Sequence, residues 1–297
     1  MHHTACMGRC RVLAKRVQKN YFRPPSIPLR GNVYLCPMLR LAALLLCLLL
    51  PTLAGAQVGA NFTLVLDAGH GGKDPGCVGS RRSNQEKDIA LNIAMEVGRL
   101  VEQNLKGVNV VYTRKGDTFV ELGRRAEIAN QAKADLFVSI HVNAVPRRSG
   151  RRPVGVQSYT LSLEPSAVNL EVEKRENAVI ALEGDGARRY DYSPSAEADI
   201  LFELMQDRDM KQSILFAQMA QDEMVHTAGR NDMGVRQANL AVLRLTYMPS
   251  ALLEVGFISS PAEETYLVSD KGQKQLARAI YNAIARYREQ TNSTQPR

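Results

Sequence analysis

Two histidines stand where a folded chain could use them for chemistry. His70 lies in Leu66-Asp67-Ala68-Gly69-His70-Gly71-Gly72, and His141 in Phe137-Val138-Ser139-Ile140-His141-Val142-Asn143. Each follows an apolar run that reads as a buried strand, so both should reach the same edge of one sheet. A single histidine at a strand end is usually a structural hydrogen bonder. Two at matching strand ends, one of them among glycines, point to a metal. The glycines allow backbone and solvent to come close, but their spacing is not that of a phosphate loop. Beyond residue 56 the chain has one other histidine, His226, which reads as a helix-surface residue.

Two carboxylates could join them. Glu86 opens a helix and is a candidate third ligand. It also completes the pattern Ser83-Asn84-Gln85-Glu86, a capping box in which its role would be local, and the residues leave both readings open. Glu254 sits inside Ala251-Leu252-Leu253-Glu254-Val255-Gly256-Phe257, an otherwise apolar strand. A carboxylate buried without a partner costs several kcal/mol, so Glu254 needs a site role or an ion pair. Asp67 and Asn143 flank the histidines and would either orient them or cap a turn and a strand end. Arg125 would either pair with an acid near the site or cap its helix.

The elements that must position these residues alternate along the chain. Strands are expected over 62–67, 108–113, 136–141, 154–161, 240–245 and 251–255. Helical spacing recurs at Ile89, Ile93, Val97, Leu100 and Val101, at Leu122, Ala126 and Ala129, at Ile214, Ala217, Met219 and Met224, and at Leu276, Ile280, Ile284 and Tyr287. This alternation predicts a single α/β domain with a mostly parallel or mixed sheet flanked by helices. Sites on such sheets form at the carboxyl ends of the strands. Residues 162–210 interrupt the alternation. They are charged and loop-like, with a helix expected over 169–182, and long insertions of this kind are often functional lids.

The formal net charge of +8 belongs to the first 56 residues, which carry eight Lys and Arg and no acid; the rest of the chain balances thirty bases against thirty acids. A nucleic-acid surface is therefore not indicated. Residues 38–56 read as a signal peptide: Met38-Leu39-Arg40, an apolar run from Leu41 to Leu50, and Ala54-Gly55-Ala56 before Gln57. The run is shorter than the roughly 20 residues that span a bilayer, so export without a stable membrane anchor is expected, to the periplasm or the cell wall. Cys47 makes a lipoprotein signal the rival reading. Residues 1–37 carry no pattern that could pack, and a start codon assigned too early is the expected explanation. After Gln57 only Cys77 remains, so no internal disulfide can form.

Taken in order, Asp67 to Gly76, Glu86-Lys87-Asp88-Ile89, Arg125 to Asn143 and Pro249 to Ser259 resemble the zinc-dependent N-acetylmuramoyl-L-alanine amidases of bacterial cell-wall remodelling. The resemblance runs from about Thr63 to about Tyr287. It implies a six-stranded sheet, one zinc held by His70, Glu86 and His141, Glu254 as the catalytic acid, and peptidoglycan as substrate. The catalytic domain is expected over 57–297. The interval 162–210 resembles the inhibitory insert of the cell-division branch. Within it Glu176, or failing that Glu173, is expected to cap the metal until a protein activator displaces the insert, with Ile200 to Met205 as a docking helix. Two further readings differ in class. One is a zinc carboxypeptidase acting on wall peptides; the other is an inactive wall-binding module.

Overall fold

Alternation along each strand decides which side chains meet the site. The structure, a computed structural model, describes residues 62–146, 149–162, 168–184 and 196–294, with the backbone alone over 196–208. The expected signal segment and the stretch before it lie outside the described residues. Six strands, β1 (Phe62–Ala68), β2 (Val108–Tyr112), β3 (Leu136–Asn143), β4 (Val156–Leu161), β5 (Asp232–Ala238) and β6 (Ser250–Phe257), form one sheet in the order β2-β1-β3-β6-β4-β5. All neighbours are parallel except β4 and β6. The expected mixed α/β sheet is therefore present.

On β1, β3 and β6 the residues Leu64, Leu66, Leu136, Val138, Ile140, Ala251, Leu253 and Val255 turn to one face. There they pack against α1 (Glu86–Asn104), the long α4 (Ala196–His226) and α7 (Asp270–Thr294). The intervening residues turn to the other face because side chains alternate along a strand. Val65, Phe137 and Leu252 form a second core there with α2 (Leu122–Gln131), α5 (Ala241–Arg244) and part of the insert. Asp67, Ser139, His141 and Glu254 are in phase with this second set. The site chemistry thus faces the layer that the insert covers.

The insert supplies α3 (Leu170–Asn177) and a 3-10 turn (Ala178–Leu182), where one helix was expected over 169–182. Val172 and Val179 are buried in the second core. The proposed docking segment, Ile200 to Met205, falls in α4 on residues whose side chains lie outside those described. α6 (Pro261–Leu267) completes seven α-helices among the described residues. None of them is long and apolar enough to cross a membrane.

One expectation is corrected. Residues 240–245 are not a strand: Leu240 precedes the short helix α5, whose Ala241, Val242 and Leu243 are all buried. A short, wholly apolar run fits a buried helix as well as a buried strand. The true fifth strand is β5, an edge strand of sequence DMGVRQA, exposed at its start and half-buried along most of its length. Edge strands lack the apolar pattern that betrays central ones.

Candidate metal centre

Parallel pairing of β1 and β3 aligns Ala68 with Ile140, and Gly69 N–H donates to Ile140 O. His70 and His141 therefore leave neighbouring strands at the same edge, and their rings stand 4.8 Å apart. β6 lies beside β3 with Glu254 paired in register to His141. Glu86 reaches in from the first turn of α1.

Close approach needs the glycines. A Cβ on Gly69 would lie 2.5 Å from His141 Nε2. One on Gly76 would lie 2.6 Å from His70 Cδ2 and 2.7 Å from Glu86 Oε2, and Gly76 has φ +65°. The glycines thus seat the ligand side chains against the backbone. His70 itself is left-handed, at φ 60°, a conformation that non-glycine residues adopt mainly where surrounding structure imposes it.

Four donor atoms converge. Glu86 Oε1 is 3.2 Å from both His70 Nε2 and His141 Nδ1. Glu176 Oε2 is 3.4 Å from His70 Nε2 and 2.9 Å from His141 Nδ1. One ligand atom from each of the four residues lies within 4.8 Å of all the others. His70 Nε2, His141 Nδ1 and Glu176 Oε2 are buried without a hydrogen-bond partner. These three orphaned atoms, together with Glu86 Oε1, make a set of two nitrogens and two carboxylate oxygens that suits a tetrahedral zinc ion.

Electrostatics point the same way. Burial would lower the pKa of both imidazoles, but Glu86 raises His70 well above its usual value and Glu176 raises His141 to about 9. Burial would raise the two carboxyls, yet His70 pulls Glu86 down and His141 pulls Glu176 well down. Two imidazolium ions facing two carboxylates carry the same net charge as two neutral imidazoles and the same two carboxylates around a dication.

Glu86 makes no capping box: it is the first residue of the helix, Gln85 is the N-cap, and no side chain caps that end. Its Oε2 accepts from Cys77 N–H at 2.7 Å and its Oε1 from Val142 N–H at 2.7 Å. Glu86→Gln is expected to weaken zinc affinity by more than about 100-fold, above the 10–100-fold typical of residues that only orient a ligand. Metal titration of the purified variant checks this. Undiminished affinity would reduce Glu86 to an anchor for those two amides.

Of the residues expected to orient the ligands, Asp67 is tied to Arg125. Arg125 Nη1 donates to Asp67 Oδ1 at 2.8 Å, and its fork also reaches Ala68 O and His70 O at 2.7 Å each. Arg125 is thus no helix cap. Asn143 donates to Gln157 Oε1 at 3.2 Å, not to a ligand. His226 is exposed at the end of α4. Glu173 stands outside this cluster and accepts from Asn239 N–H at 2.8 Å.

Three residues escaped the sequence reading. Asp74 Oδ2 accepts from His70 Nδ1 at 2.7 Å and fixes the ring with Nε2 inward. The spacing His70-x-x-x-Asp74 was its only signal. Arg114 donates to Ala68 O and Gly69 O at 2.9 and 2.8 Å. Arg175 donates from Nε to Glu176 Oε1 at 2.7 Å, from Nη1 to Ala144 O at 3.0 Å and from Nη2 to Glu254 Oε1 at 2.9 Å. Glu254 is fully buried, and its Oε2 has no partner. Burial pushes its carboxyl up to about 8 against the pull of Arg175, with Glu176 and Glu86 adding to the rise.

A family model described as N-acetylmuramoyl-L-alanine amidase matches residues 64–286. The chain is 34% identical over 232 residues to N-acetylmuramoyl-L-alanine amidase AmiC of Neisseria meningitidis, covering 77% of this chain and 53% of that protein. It is 32% identical over 233 residues to N-acetylmuramoyl-L-alanine amidase AmiA of Salmonella typhimurium, covering 78% of each. The chain therefore spans about half the length of the first relative and over three quarters of the second. Among solved structures, the catalytic domain of CwlV, the amidase of Bacillus (Paenibacillus) polymyxa, superposes with a TM-score of 0.56 at 30% identity, over 77% of this chain and 98% of that one.

Proposed function

We propose, from the premise that the chain belongs to the N-acetylmuramoyl-L-alanine amidase family, that it is an exported zinc hydrolase. It would cut the amide between the lactyl group of N-acetylmuramic acid and L-alanine in peptidoglycan. The observation that carries this reading is the buried cluster of His70, Glu86, His141 and Glu176 beside Glu254. His70, Glu86 and His141 would hold one zinc. Bound there, zinc supplies a Lewis acid that polarises the amide carbonyl and lowers the pKa of water to about 7. Glu254, through its free Oε2, would take the proton from the attacking water and pass it to the departing alanine amine. Asp74 holds the His70 ring, and Arg125 holds the loop that carries it.

The fourth donor gives the resting state. Glu176 would take the coordination position that water and substrate need, and Arg175 next to it engages Glu254. One dipeptide of α3 would therefore engage both a bound metal, through Glu176, and the proposed catalytic acid, through Arg175. We read 162–210 as an autoinhibitory segment that a protein activator displaces. A partner can do so only by binding the displaced form better.

Mass spectrometry of wall digested with the protein tests the reading. Intact stem peptides beginning with alanine should appear, vanish on chelation and return with zinc, and Glu176→Ala should raise the basal rate. Protein from its native cell should begin at Gln57. Release of single terminal residues would favour the carboxypeptidase reading instead.

A further inference from the structure

Next to the candidate metal centre lies a cavity of about 110 Å³. Its floor includes Gln157 and Tyr159 of β4, Arg236 of β5, and Arg151 from the loop before β4. Its roof is the insert, through Asn169, Glu171 and Arg175. The cavity and the centre share walls. Gln157 is the register partner of Glu254 across β4 and β6. Arg175 lines the cavity and reaches Glu254. Displacing the insert would merge the two into one cleft.

The charges divide unevenly between floor and roof. Among the described residues, the Arg236 side chain makes one hydrogen bond, a long one of 3.4 Å to Asn169 Oδ1 on the roof. Neither Arg236 nor Arg151 has a carboxylate partner among the described residues. The one acid lining the cavity, Glu171, is exposed and belongs to the insert. Without the roof, two guanidinium groups remain beside a neutral amide and a phenol. A guanidinium fork matches a carboxylate in geometry and charge. Asn169 Oδ1 then stands in for that carboxylate while the insert is closed.

We propose that this cavity is the subsite for the peptide side of the substrate, where Arg236, supported by Arg151, binds a carboxylate borne by a residue after the cleaved alanine. The inference rests on the amidase reading above. The glycan side of the scissile bond offers hydroxyls and acetamides, and the peptide side offers carboxylates, so an anion receptor here selects the peptide.

The test uses the full chain carrying Glu176→Ala, with and without Arg236→Gln. Two synthetic peptides beginning with L-alanine are compared by calorimetry, one with a free carboxylate on its second residue and one with that group as a carboxamide. The acid should bind about 10- to 100-fold more tightly, as expected for a charge-assisted hydrogen bond. Arg236→Gln should reduce the difference below about 3-fold and leave amide binding unchanged. Equal binding of the two peptides, or a preference that survives Arg236→Gln, would overturn the proposal. The matching muramoyl-peptides are assayed for cleavage in parallel. Peptide discrimination without cleavage would sink the amidase reading and leave the anion subsite standing.

Discussion

Glu254→Gln should keep its fold and its zinc and lose about 10²–10⁴-fold in turnover, the range of a general acid–base group. Glutamine preserves the shape and can still accept from Arg175, so the closed state is undisturbed. What it loses is the ability to hold a proton at Oε2, the oxygen left free beside His141 in register. Peptide release from wall, zinc content and thermal melting, measured on one preparation, separate lost chemistry from lost structure. Near-normal turnover would move the base to another acid. Glu223 and Asp232 lie elsewhere: Glu223 pairs with Arg286 at 2.8 Å, and Asp232 accepts from Gln221 at 2.6 Å. Glu176 would then be the candidate.

The second large effect falls on stability. Arg125→Ala is expected to cost about 3–5 kcal/mol, because it leaves a buried carboxylate without its counter-ion. Asp67 is fully buried. Burial would raise its pKa, but Arg125, Ser139 and Thr113 together hold it below the usual value. Such a loss is a large part of the 5–15 kcal/mol that sustains a typical domain. The double variant Asp67→Asn with Arg125→Met should lose less than Arg125→Ala alone, since no charge is stranded. Urea midpoints decide it. A shift worth under about 1 kcal/mol for Arg125→Ala would show that Ser139 and Thr113 suffice.

The central strands were legible because burial on both faces leaves long apolar runs, and the two histidines could be placed at their ends by counting. Glu254 stood out as a charge in such a run. The edge strand β5 carried no such mark, and the apolar stretch after it drew the assignment away. Glu86 was undecidable locally, because its site contacts and a capping box require the same residue at the same place. Arg175 acts across 79 positions of sequence on Glu254, and Arg114 across 45 on Gly69. Neither spacing follows a helix or strand period, so only the folded chain brings these groups together.

If the insert is autoinhibitory as proposed, the burial of Val172 and Val179 in the second core sets how leaky the enzyme can be. Lifting the insert exposes two valines, at about 1.5–3 kcal/mol each. By that measure alone an unassisted chain would be open about once in 10² to 10⁴ molecules. On the autoinhibitory reading the insert doubles as part of the hydrophobic layer, so it would come out as a unit and the switch would have a threshold. Trimming either valine to alanine would raise background wall cleavage in cells that carry no activator, without touching a single residue of the metal centre.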